Sequence, residues 1–116
     1  MQYALLIYSE ESSTEAERPS MLPEYAKLSG DLRSEGRLLA AQELQPTGTA
    51  TTVQVRDGDA IVSDGPFAET KEALGGFYLI EADSLDEAIE WAGRIPSARF
   101  GTIEVRPVVD RSGNGA

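Results

Sequence analysis

Cysteine and histidine are absent from the chain, and tryptophan occurs once. Their absence excludes zinc fingers, thiolate nucleophiles, a Ser-His-Asp triad and imidazole acid–base chemistry. Any metal would have to be a hard cation held by carboxylates. EF-hand spacing is missing, so neither metal nor cofactor is expected. Basic residues are scarce: 10 Lys plus Arg stand against 20 Asp plus Glu, for a formal charge of −10. Nucleic acid and anionic membranes are therefore poor partners, because both need a cationic face. No apolar run approaches the roughly 18 residues of a membrane span, and no basic stretch precedes an apolar one as in a secretory leader. The expectation is a cytoplasmic protein limited to carboxylate, Lys, Arg and Tyr chemistry, or to binding without catalysis.

What is present fits one domain. The chain has 116 residues, 41% hydrophobic and 26% charged, the balance of a globular fold that needs no disulfides. Tyr3 to Tyr8 reads as a first strand, followed by a solvated acidic loop over 10–18. Leu22, Tyr25, Leu28 and Leu32 recur at helical spacing, with Pro23 in the first turn and Gly36 as the stop. Leu38 to Leu44 reads as a second strand. Thr51 to Arg56 alternates, Asp57-Gly58 supplies a hairpin turn, and Ala60 to Ser63 returns. The stretch from Asp64 to Glu72 is a polar loop with an optional helical turn from Pro66. Gly75-Gly76 leads into a strand from Phe77 to Ala82. Ser84 and Glu87 form a capping box for a helix whose stripe is Leu85, Ala88, Ile89, Ala92 and Ile95. Trp91 lies beside that stripe as a core or interface residue. Thr102 to Val108 is the last strand, so the domain spans 1–109 and 110–116 is a frayed tail.

The order β-α-β, hairpin, β-α-β predicts a ferredoxin-like α+β fold: an antiparallel sheet with two helices on one face. Alternation then sets a problem. Tyr3, Leu5 and Ile7 oppose Ala4, Leu6 and Tyr8, and Phe77 and Leu79 oppose Tyr78 and Ile80, so both faces are apolar. Two crossovers of one hand cover a single face. The expectation is a homodimer packed sheet to sheet; the alternative is that the 10–19 or 64–74 segment folds over the second face.

The run Asp64-Gly65-Pro66-Phe67-Ala68-Glu69-Thr70-Lys71-Glu72, with Gly75-Gly76-Phe77-Tyr78 and Ile103-Glu104-Val105-Arg106-Pro107, resembles the DGPF branch of the YCII-related domain family. The resemblance spans nearly the whole chain and implies a dimeric α/β barrel. Enzymatic members are linked to a His on the first helix and an Asp in a later Asp-Pro step. Here the first helix carries Tyr25 and Lys27, and the step is Ile95-Pro96. That mechanism is not carried over. Relatives of this branch are often encoded beside extracytoplasmic-function sigma factors, which implies a possible regulatory partner.

Each candidate site residue has two readings. Asp64, Gly65 and Pro66 suit a turn, yet Asp64, Glu69 and Glu72 crowd one loop with Lys71, so one carboxylate could serve as base and another as acid. Tyr78 is either an interface residue or a ligand donor. Arg106 either pairs with Glu104 or meets a ligand carboxylate. Three functions follow. The first is an inter-subunit cleft lined by Phe67, Tyr78 and Arg106 that binds a small organic ligand, with Lys71 and Glu72 as further contacts. The second is a cofactor-independent enzyme using Asp64, Glu69 and Tyr78. The third is a regulatory partner of a sigma factor. Whether the protein is an enzyme stays open at this stage.

Overall fold

The computed structural model describes residues 1–11 and 21–111. The expected acidic loop over 10–18 and the tail over 110–116 fall mostly outside those residues. Strand β1 is Gln2–Ser9, helix α1 is Leu22–Ser34 and strand β2 is Leu38–Glu43. A hairpin of β3 (Thr51–Arg56) and β4 (Asp59–Asp64) follows, then β5 (Ala73–Glu81), α2 (Leu85–Gly93) and β6 (Thr102–Pro107). Short 3-10 turns cover Thr47–Thr49 and Pro96–Arg99. The main sheet runs β2-β5-β1-β6 with every pair antiparallel, and β3-β4 is a separate two-stranded sheet. This is the α+β, ferredoxin-like arrangement that the element order predicts.

Local rules explain most boundaries. Pro23 sits in the first turn of α1, where no N–H is missed, and Gly36 ends the segment at φ +71°. Asp57 and Gly58 take φ +53° and +82°, the paired positive angles of a tight hairpin turn. In the capping box of α2, Ser84 Oγ accepts from the Glu87 amide at 3.1 Å, while Glu87 reaches back to the Asp83 amide at 2.8 Å.

Three expectations are corrected. Strand β5 begins at Ala73, so Gly75 and Gly76 lie inside it rather than before it. A Cβ on Gly76 would stand 2.7 Å from the Gln42 carbonyl oxygen, so the glycine lets β2 come close. No helical turn follows Pro66: Gly65 at φ +96° and a hydrogen bond from the Thr70 hydroxyl to the Glu72 carbonyl hold a non-helical path. Glu69 and Glu72 therefore share no helix face. In α2, Leu85 and Ile89 are exposed, whereas Ala88, Trp91 and Ala92 are buried. The helix is rotated so that its largest apolar side chain points inward, with Trp91 Nε1 donating to Glu87 Oε2 at 3.1 Å.

The register sorts the sheet into two faces. On one face Pro107, Tyr3, Ile80 and Leu38 form a row, followed by Val105, Leu5, Tyr78 and Ala41, then Ile103, Ile7, Gly76 and Glu43. Leu28 and Leu32 of α1, Ala88, Trp91 and Ala92 of α2, and Ile95 close the core on this face. Across the other face run Arg106, Ala4, Leu79 and Ala40; then Glu104, Leu6, Phe77 and Gln42; then Thr102, Tyr8 and Leu74. Ala4, Leu6, Tyr8, Leu74, Phe77 and Leu79 are only half-buried there.

Ion pairs fasten the helices at the periphery. Glu24 binds Arg99 at 2.8 Å, and Asp31 binds Lys27 at 3.1 Å and also Arg94. Arg37 reaches Asp83 at 3.0 Å and Glu87 at 3.2 Å. All four carboxyls sit below their ordinary range. Arg99 lowers Glu24, Arg94 and then Lys27 lower Asp31, Arg37 lowers Asp83, and the Asp83 amide followed by the Trp91 indole lowers Glu87. A depressed folded-state pKa gives stability that is present above the unfolded value and lost as pH falls through the folded one. Stability should therefore drop as pH falls below about 4.5, and Glu87→Gln should flatten that acid limb in urea titrations at successive pH values. Gly76→Ala should cost about 1–3 kcal/mol by forcing β2 and β5 apart. Gly75→Ala, whose Cβ would meet Ile7 O at 4.0 Å, should cost less in the same denaturation assay.

Candidate functional site

Antiparallel pairing brings the end of β2 beside the start of β5, with the Leu44 amide donating to Gly75 O at 2.8 Å. The connection from β2 to the hairpin and the loop leaving the hairpin therefore meet at one end of the sheet. Between them lies a cavity of about 590 Å3, lined on one side by Leu44, Pro46 and Thr49 and on the other by Pro66, Phe67 and Leu74. Thr47, Thr70 and Gln45 add polar groups, and no charged side chain lines it. Phe67 is 81% exposed, an unusual placement for a phenylalanine without a partner surface.

The cavity walls are tied together. The Gly65 amide donates to Ala50 O at 2.7 Å, and Thr52 Oγ1 donates to Gly65 O at 2.7 Å. On the outer side the Glu11 carboxylate accepts from the Thr47 amide at 2.8 Å and from its hydroxyl at 2.5 Å. Those two bonds, the hydroxyl first, hold the Glu11 carboxyl below its usual range. Lys71 pairs with Glu10 at 3.5 Å. A second, shallower hollow at the same end is lined by Tyr8, Glu72, Thr102, Ile103 and Glu104. Among the described residues, no group of three or more Asp, Glu, His or Cys is placed to hold a metal ion.

The sequence-derived set divides among these places. Phe67 lines the cavity and Glu72 the second hollow, while Lys71 is drawn into its ion pair. Asp64, at the end of β4 opposite Thr51, and Glu69, within the loop, are exposed. Tyr78 is the main correction. It is 4% exposed under α1, where its hydroxyl meets Ser29 Oγ at 2.9 Å and its ring stacks on Tyr25 with centroids 6.5 Å apart. Arg106 is on the opposite, uncovered face and forms no ion pair with a described residue, including Glu104. Glu104 instead receives a long contact from the Tyr8 hydroxyl at 3.5 Å. The expected cleft joining Phe67, Tyr78 and Arg106 is thus not formed within one chain, because the strand pleat sends Tyr78 and Arg106 to opposite sides. Sequence reading missed Leu44, Pro46, Thr47 and Thr49. Their cue was topological: in a β2-β5-β1 order, whatever follows β2 adjoins whatever precedes β5.

The sequence profile of the YCII-related domain matches residues 1–112. The chain belongs to the YCII-related family. An uncharacterised protein of Rhizobium meliloti (strain 1021) is 41% identical over 114 residues, covering 93% of this chain and 92% of its own length. Among solved structures, 5-chloro-2-hydroxyhydroquinone dehydrochlorinase from Burkholderia phenoliruptrix, in complex with 2,5-dihydroxybenzoquinone, aligns with a TM-score of 0.50 at 15% identity, covering 93% of both chains. At that identity the likeness concerns the fold of this YCII-related chain. No described helix is long and apolar enough to cross a membrane.

Tyr78→Phe separates a packing role from a ligand role. The loss of its hydrogen bond to Ser29 should cost about 1 kcal/mol in urea unfolding, as expected of a core residue beneath α1.

Proposed function

We propose that this YCII-related protein acts as a homodimer that binds a small, uncharged organic molecule, aromatic in character, beside the 64–72 loop. The cavity carries this reading. Its volume of about 590 Å3 lies within the usual range for small-molecule sites, roughly 300–1,000 Å3. Its lining is apolar, with an exposed Phe67 to stack on a ring and the hydroxyls of Thr47, Thr49 and Thr70 to orient one polar edge. The absence of a charged lining group favours a neutral ligand over an organic acid, since a carboxylate there would lose water without gaining a partner. The dehydrochlorinase of similar fold also holds a single small ring, in its case 2,5-dihydroxybenzoquinone.

Support for the homodimer is the uncovered apolar face of Leu6, Phe77 and Leu79. A second sheet laid on it would remove those side chains from water, at about 25 cal/mol per Å2 of apolar surface. It would also roof the end of the sheet where both hollows open. A catalytic extension would draw on Asp64 and Glu69, exposed carboxylates at the start of and within the loop that lines the cavity; Tyr78 supports the scaffold beneath α1.

Sedimentation at micromolar concentration should give a dimer, and a thermal-shift screen should raise Tm with neutral phenols or quinones more than with matched carboxylic acids. Phe67→Ala should weaken the best binder about tenfold or more without lowering the Tm of the free protein. A screen in which only anions bind, or in which Phe67→Ala changes nothing, would overturn the cavity assignment.

A further inference from the structure

The β3–β4 hairpin stands apart from the rest of the molecule. Its strands pair with each other and are fixed at their root by Gly65 and Thr52, but they join no other sheet and lie outside the core. One face nevertheless reads Val53, Val55, Ala60 and Val62, brought together by the pairs Val53–Val62 and Val55–Ala60. The valines are 60%, 61% and 63% exposed. A lone two-stranded ribbon is marginal in water and needs a third strand or a packed face to persist. Three valines and an alanine on one side, with no described residue burying them, have the pattern of a surface meant to be covered.

We propose that this hairpin is an arm that lays its Val53, Val55, Ala60 and Val62 face on a second copy of the same chain. The inference rests on the homodimer reading and goes beyond it by adding a surface outside the sheet.

Area and charge both point to a second copy. The open sheet face, four strands wide at about 4.8 Å and three rows long at about 7 Å, has a footprint of roughly 400 Å2. A stable interface removes about 800 Å2 from each partner. The sheet face alone falls short, and the arm adds roughly 200 Å2 before its flanking loops are counted. Charge supports the same occupant. Two chains of net charge −10 repel unless they meet over uncharged ground. Apart from Asp64 at its root, the arm's apolar face carries no charge, and the open sheet face carries Glu104, Arg106 and, at its edge, Glu81, which pairs with the N-terminal amine. A basic partner would instead seek the acidic surface elsewhere. Because the arm's root joins the cavity wall at Ala50 and Pro66, with the Gly65 amide bonded to Ala50 O, seating the arm would also hold the ligand site in shape.

The absence of cysteine makes the test direct. Val62→Cys places a single thiol on the apolar face, and Ser63→Cys places one on the opposite face of the same strand. At concentrations where sedimentation shows dimer, the thiol at position 62 should be alkylated about tenfold more slowly than that at 63, and dilution to monomer should abolish the difference. Equal rates in the dimer would overturn the arm and leave the homodimer standing. Protection that persists in the monomer would also overturn it, since the chain itself would then cover the face. A wild type that is monomeric at every concentration would remove both readings. As a second variant, Val53→Lys should raise the dimer dissociation constant at least about tenfold while the circular dichroism of the monomer is unchanged.

Discussion

Alternation of apolar side chains on both sides of β1 and β5 is the constraint from which the other features follow. One set, Tyr3, Leu5, Ile7, Tyr78 and Ile80, forms the core with the two helices. The other set, Leu6, Tyr8, Phe77 and Leu79, has no helix among the described residues to meet, because both crossovers return on the same side. The covered side shows the detailed fitting of a core: Tyr78 and Tyr25 stack, and their hydroxyls are taken up by Ser29 and Ser97. The uncovered side has no such polar fitting across its middle.

Charge is distributed in keeping with that division. Glu24, Asp31, Asp83 and Glu87 are each matched to an arginine around the helices, where they hold peripheral elements in register. The uncovered sheet face and the valine face of the hairpin are nearly free of charge in a chain with a large acidic excess. The cavity lies where the hairpin root meets the end of the sheet shared by β2 and β5. In the proposed homodimer that position would make the ligand site and the subunit contact parts of one arrangement, with the hairpin root as wall to the first and support for the second.

Most of the fold was legible because it depends on local signals. Period-two and period-three-four patterns placed the strands and helices, Asp57-Gly58 placed the hairpin, and Ser84 with Glu87 placed the start of α2. The misreadings came where a neighbour distant in sequence decides. Gly75 and Gly76 resembled a lead-in loop until β2 was set against them, and Leu85 and Ile89 resembled a buried stripe until Trp91 took the inward position. The candidate site was less legible still. Phe67, Tyr78 and Arg106 were expected to line one cleft, whereas Phe67 lies at the hairpin-root cavity and Tyr78 and Arg106 lie on opposite sides of the sheet.

Sequence alone determined the element order, the two apolar faces, the acidic excess and the exclusion of thiol and imidazole chemistry, because each is a property of composition or of spacing along the chain. Tertiary structure decided which face the helices cover, that the hairpin stands off the sheet, and that the segment after β2 builds a cavity with the loop before β5. Those outcomes depend on how strands far apart in sequence pair and which side chains their pleat sends each way, and no local pattern specifies that.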